Sequence, residues 1–213
     1  MTTLNEIYSC ARCIEENESN ISKYHYIGYY YNKDFRIFDI SNLSGLLENN
    51  NLSDLPKNLV EFVNTEKQVM FIPNIIDGCV IEIICRSTKN KRFINISSGM
   101  PSMFYNIGRL PQERKFIDPI IICEGTADCE YIKNNINKNV LACLTDSISV
   151  LKMEVLRTLT NHVILSFDND DAGKDAEKRE SYKLKRLGFF VERMHPQPWY
   201  KDYGDMILDQ AKS

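Results

Sequence analysis

Three groups of acidic residues stand out by type and spacing: Glu124-Gly125-Thr126-Ala127-Asp128, Asp168-Asn169-Asp170-Asp171-Ala172-Gly173, and Lys201-Asp202-Tyr203-Gly204-Asp205. Carboxylates gathered at one place repel one another and push each other's pKa values up, and a divalent cation removes the repulsion. Hard oxygen donors with few histidines select Mg²⁺ or Mn²⁺ over zinc. Two such ions can stabilise the attacking and leaving oxygens of a phosphoryl transfer together. Glu124, Asp168, Asp170, Asp202 and Asp205 are the candidate metal ligands, with Glu124, Asp128, Asp168 and Asp170 as the candidate catalytic set. Asp168 and Asp170 alternate along the chain, so the loop must bend for both to reach one ion. The plain alternative is helix capping, open to Asp128 and Asp171. Three clusters, each following a strand, favour metal binding over capping.

The elements that must position these acids are readable from Pro119 onward. Pro119 to Cys123 is a short apolar strand, and Cys129, Ile132 and Ile136 follow at helical spacing. Val140 to Leu144 is a second strand. Asp146 or Ser147 can cap a helix whose apolar face is Ile148, Leu151, Val155 and Leu159. Val163 to Phe167 reads as a buried parallel strand. A helix from about Ala172 to Leu187 stops at Gly188, and Phe189 to Glu192 is a fourth strand. Strand–helix alternation implies a mostly parallel sheet flanked by helices, with ligands beyond the carboxyl ends of its strands. Glu124 and Asp168 fall directly at two such ends.

Upstream, Val69 to Pro73 and Cys79 to Cys85 are apolar runs around Asp77-Gly78, a hairpin signal with a gap longer than a tight turn. Arg92 to Asn95 reads as a further strand. Glu48 to Asn64 is Asn-rich and reads as loop and short helix. Tyr24, Tyr26, Tyr29, Tyr30 and Tyr31 could stack on bases or pave a half-buried strand.

The chain has 213 residues, 43% hydrophobic and 26% charged, as a globular protein of one or two domains should. No apolar run approaches the roughly 18–20 residues of a membrane span. The first residues carry neither a basic nor an apolar segment of the secretory kind, so the expected address is the cytoplasm. Net charge is −3, which argues against a protein that coats nucleic acid indiscriminately. Residues 84–115 nevertheless carry Arg86, Lys89, Lys91, Arg92, Arg109, Arg114 and Lys115 against Glu113 alone, a balance of +6 inside an otherwise acidic chain. That pattern suits one surface meeting phosphate and another holding metal, although a solvated loop is the blander reading. Of seven cysteines, only Cys10 and Cys13 have ligand-like spacing, and no second pair completes a zinc site. The others, Cys79 included, sit in or beside apolar strings and read as buried reduced thiols.

The acidic motifs resemble the TOPRIM domain shared by bacterial-type primases, type IA and II topoisomerases and some nucleases. Its Glu-Gly-x-x-Asp element matches Glu124 to Asp128, and its Asp-x-Asp-x-x-Gly element matches Asp168 to Gly173. Phe167 to Lys174 and Lys201 to Asp205 are similar to the primase and Twinkle-type helicase-primase forms. Phe71 to Arg86, Lys91 to Asn95 and Phe104 to Ile107 are similar to the strand-rich half of the primase RNA-polymerase core. The resemblance implies a Rossmann-like, mostly parallel four-stranded catalytic domain at 116–213. A smaller strand-rich α+β subdomain precedes it at 1–115, basic over 68–115 and poorly defined over 1–67. It implies a DNA-directed RNA primase in DNA replication, using Mg²⁺ or Mn²⁺, a single-stranded DNA template and ribonucleoside triphosphates. Arg86, Lys89, Lys91, Arg92 and Lys174 would then bind nucleotide or template. A phage or mobile-element setting, with a separate helicase or zinc-binding initiation protein, goes with that reading. A TOPRIM nuclease and a non-catalytic replication accessory are the alternatives; the length leaves no room for a topoisomerase's tyrosine domain.

Overall fold

The computed structural model describes residues 3–14, 34–49, 55–99, 101–110 and 117–210. The tyrosine cluster from Tyr24 to Tyr31 lies outside the described residues. The chain divides into two compact units, Met1–Ser102 and Met103–Ser213. Among the described residues, no helix is long and apolar enough to cross a membrane.

The first unit is built on an antiparallel sheet in the order β1-β2-β3-β4-β5, formed by Arg12–Cys13, Arg36–Asp39, Gln68–Ile76, Cys79–Ser87 and Phe93–Ser97. Among the described residues it is accompanied by helices α1 (Leu4–Ser9), α2 (Ile40–Asn49) and α3 (Lys57–Glu66). Thr3 and Glu6 close a reciprocal capping box that starts α1. Leu59, Phe62 and Val63 of α3 pack with Val69, Phe71, Ile83 and Cys85, and Phe38 stacks on Phe71 at 4.6 Å. The β3–β4 connection is tighter than the apolar runs imply. Both strands extend to a two-residue turn, Asp77-Gly78, with φ of 49° and 76°. Two consecutive positive φ values match the right-handed twist of the strands, which is why aspartate and glycine occupy them. Cys79, at the start of β4, is exposed rather than buried, as are Cys10 and Cys13.

The second unit is a four-stranded, wholly parallel sheet in the order β7-β6-β8-β9, with strands Ile120–Cys123 (β6), Val140–Ala142 (β7), His162–Ser166 (β8) and Phe190–Arg193 (β9). Alternate residues of a strand face opposite sides. Ile120 and Ile122 therefore join a core with Leu141, Val163, Leu165 and residues Met153, Leu156, Ala176 and Leu184 of α5 (Val150–Leu159) and α6 (Asp171–Arg186). Helices α4 (Thr126–Asn135) and α7 (Tyr203–Gln210) pack together, with Tyr131 stacked on Tyr203 at 5.2 Å. The chain steps from β6 to one neighbour, β7, then returns past β6 to β8. The order therefore reverses between β6 and β8, the switch point at which open α/β sheets bind ligands.

Two details depart from the sequence reading. Helix α5 is capped by Ser149, whose Oγ accepts the Lys152 N–H at 3.3 Å. That start rotates the helix so that Met153 and Leu156 face the core, while Leu151 is 43% exposed. Lys152 is buried instead, donating from Nζ to the Cys143 carbonyl at 2.6 Å, where the chain leaves β7 and Leu144 takes φ of 62°. The segment Met103–Leu110, grouped by its sequence with the strand-rich half, belongs to the second unit. Tyr105 bridges to Ala142 beside β7, and its buried hydroxyl donates to Glu130 Oε1 at 2.7 Å.

Helix α6 ends as expected at Gly188 (φ 90°), whose N–H bonds to Lys185 O while the Phe189 N–H bonds to Leu184 O. This double closure needs a left-handed residue, which costs any residue with a Cβ roughly 1–2 kcal/mol. Gly188→Ala is expected to lower the unfolding free energy by about that amount, measured by urea denaturation, with no change in the far-UV spectrum.

Candidate functional site

The acids converge where the sheet order reverses. Cys123 and Ser166 are register partners at the ends of β6 and β8, so the residues just beyond them are neighbours. Glu124 Oε1 accepts the Asp168 N–H at 3.2 Å, tying the two motifs together. Asp170 caps α6, its Oδ1 accepting the Gly173 N–H at 2.8 Å. Lys201 Nζ lies 3.1 Å from Asp170 Oδ2 and 3.3 Å from Asp168 Oδ2. The loop therefore bends so that one cationic group reaches both aspartates. Gly173 makes that bend possible: a Cβ there would lie 2.4 Å from the Asp168 carbonyl oxygen.

The third acidic group joins through Asp128 and Asp202. Asp128 is buried in the first turn of α4 and accepts the Tyr203 N–H at 3.0 Å, pinning the start of α7. Asp202 Oδ1 accepts the Asp205 N–H at 2.6 Å. Asparagine 169, between the two aspartates, anchors the incoming loop: its N–H donates to Lys201 O at 2.7 Å and its Nδ2 to Tyr200 O at 2.8 Å.

The electrostatics record the crowding. Burial, then the Asp202 and Asp168 charges, push the Asp128 carboxyl up to about 8. Burial and Asp202 raise Asp168 against the pull of Lys201. Burial, Asp168 and Asp170 raise Glu124. Asp170 is instead held low, by the Gly173 N–H and Lys201. Asp168 is thus the common member of two groups, one with Glu124 and Asp170, the other with Asp128 and Asp202.

The donors are hard carboxylate oxygens, and an ammonium group already stands between two of them, so the chemistry fits a divalent cation. As the side chains stand, no three His, Cys, Asp or Glu groups among the described residues form a metal-binding set. Asp205 contributes its backbone N–H to the described contacts, and Asp128 is committed to α7.

The basic residues are divided. Lys174 is exposed in the first turn of α6, close enough to lower Asp170. Arg86, Lys89, Lys91 and Arg92 belong to the first unit, in β4 and the loop that follows. Arg92 Nη1 pairs with the buried Glu66 at 2.8 Å, and Glu66 also accepts from Ser87 and Asn90. That loop is therefore folded around a buried carboxylate, while Lys89 and Lys91 remain exposed. Sequence reasoning gave no role to Lys201, Asn169 or Glu66. A lysine preceding an aspartate carries no spatial signal until the loop is folded.

A family model described as Toprim-like matches residues 121–207. Residues 121–207 are thus similar to the Toprim-like family. A DNA primase of Staphylococcus aureus is 27% identical over 109 residues, covering 48% of this chain and 18% of that protein. The chain thus spans less than a fifth of the length of the curated relatives it matches. Among solved structures, a DnaG primase catalytic domain bound to single-stranded DNA has a TM-score of 0.65 at 15% identity, covering 98% of this chain and 76% of that one. The zinc-binding and RNA polymerase domains of the Aquifex aeolicus primase give 0.60 at 18% identity, covering 97% and 52%. The primase-like fold, a parallel TOPRIM sheet with a strand-rich companion, is the one its motifs imply.

The acid cluster sets a pH dependence. Asp128 keeps its proton to about pH 8 when folded but ionises near pH 4 when unfolded. Between those values the folded state binds more protons, so stability falls as pH rises from about 4 to about 8. Raised Glu124 and Asp168 act in the same direction. Asp170, held low, acts the opposite way, only below about pH 4. Urea denaturation with chelator present should show a shallower decline over this window for Asp128→Asn than for the wild type.

Proposed function

We propose that this protein joins ribonucleotides on a single-stranded DNA template, making short RNA primers by metal-dependent nucleotidyl transfer. The observation that carries the reading is the meeting of Glu124, Asp168 and Asp170 at the switch point, with both aspartates presenting one oxygen to a single positive group. Asp168, Asp170 and Asp202 are the ligands in this reading, and Mg²⁺ or Mn²⁺ bound there would neutralise charge on the attacking and leaving oxygens. A 3′-hydroxyl forms the new bond to the α-phosphorus of the incoming nucleotide. The bond to the bridging oxygen breaks, and pyrophosphate leaves. In this reading Glu124, raised and bonded to the Asp168 N–H, takes the hydroxyl proton. Asp128 acts one step back, fixing α7 and hence Asp202. In this reading Arg86, Lys89, Lys91, Arg92 and Lys174 are the residues that contact nucleotide or template phosphates. Phosphate contacts of this kind weaken as salt rises.

The test is incorporation of labelled ribonucleotides on defined single strands with Mg²⁺ or Mn²⁺. Nucleotide-dependent product is expected. Asp168→Ala should reduce it by about 10²-fold or more, since a charge-stabilising group at the reacting centre is lost, while circular dichroism remains that of the wild type. Strand cleavage without nucleotides would instead identify a nuclease, and template binding with neither reaction an accessory protein.

A further inference from the structure

Lys201 is placed by its backbone as well as by its charge. Its carbonyl accepts the Asn169 N–H at 2.7 Å, and the preceding carbonyls of Tyr200 and Pro196 accept Asn169 Nδ2 at 2.8 and 3.5 Å. Asn169 lies between the two aspartates, so the loop carrying Lys201 is fastened to the segment that its ammonium group bridges. The ammonium sits on Asp168 Oδ2 and Asp170 Oδ2. The other oxygen of Asp170 accepts the Gly173 N–H, so the oxygen that Lys201 holds is the one with no backbone donor on it for an approaching cation to displace. Divalent cations bind carboxylate oxygens at roughly 2.0–2.6 Å, well inside the radius at which an ammonium group can share them.

We infer that Lys201 is an internal counter-ion that competes with a divalent cation for Asp168 and Asp170, so that binding of the cation displaces it. This rests on the reading of these carboxylates as a cation site. It assigns Lys201 a function separate from the acids: it keeps them together in the unloaded protein and sets the cation concentration at which the site fills. Lys201→Arg keeps the charge and should compete as the wild type does. Lys201→Met keeps the apolar stem and removes the charge.

Mn²⁺ binding to the full chain, measured by isothermal titration calorimetry, tests this directly. Lys201→Met is expected to bind Mn²⁺ about tenfold more tightly, the scale of one charged contact no longer opposed. Lys201→Gln, a polar alternative should the methionine variant fail to fold, is expected to do the same, and Lys201→Arg to match the wild type. Tighter binding in the neutral variants, including binding seen only in them, supports the assignment. Equal or weaker Mn²⁺ binding in the neutral variants overturns it while leaving the cation site standing, and weaker binding would mean that Lys201 orients the carboxylates instead. Absence of Mn²⁺ binding from every form, with folding intact, overturns the cation site and the counter-ion together.

Discussion

Like charges brought together at the end of a β-sheet must be compensated, and most features of the second unit follow from how this chain does so. Burial raises Asp128, Asp168 and Glu124, and neighbouring carboxylates raise them further. Backbone donors answer part of the demand: the Asp168 N–H for Glu124, the Tyr203 N–H for Asp128, the Gly173 N–H for Asp170. Full positive charge in direct contact with Asp168 and Asp170 comes from Lys201, and it arrives on a loop that Asn169 ties down. The glycine at 173 belongs to the same solution, because only its missing Cβ lets the first turn of α6 close against Asp168.

Helix capping, which the sequence offered to Asp128 and Asp171, falls to Asp170, where it is compatible with cation binding once the atoms are distinguished. One carboxylate oxygen caps α6; the other faces Lys201. The helix N-terminus thereby holds Asp170 ionised and orients its outward oxygen. Asp128 shows the opposite division of labour: burial and its bond to the Tyr203 N–H make it a brace for α7 more than a charge at the surface.

How much was legible follows the range of the interactions involved. Strands β6 to β9 and the helices between them are visible because continuous apolar runs and 3.6-residue periodicity are local signals. The stop at Gly188 is visible because a left-handed terminus selects glycine. The start of α5 is not, since Asp146, Ser147 and Ser149 are all competent caps and only packing chooses among them. The place of Tyr105 is likewise hidden: its bridge to Ala142 and its bond to Glu130 span 37 and 25 residues. In the site, residue types and strand ends identify the acids, but the strand order that makes Glu124 and Asp168 neighbours is a property of the sheet.

The basic loop of the first unit shows why charge counted along a sequence overstates charge offered to a ligand. Glu66, outside the stretch in which positive residues accumulate, is buried at the end of α3 and draws Ser87, Asn90 and Arg92 onto itself. A buried carboxylate without partners is costly, so Arg92 is needed by the fold whether or not phosphate is present. Its exposed edge can still meet a phosphate, but the paired charge gives less field than a free one. Lys89 and Lys91, carried to solvent on the same loop, have no such buried claim made on them by Glu66. The fold thus separates the two tasks that composition merges: one arginine to satisfy the interior, and flanking lysines to present charge outward.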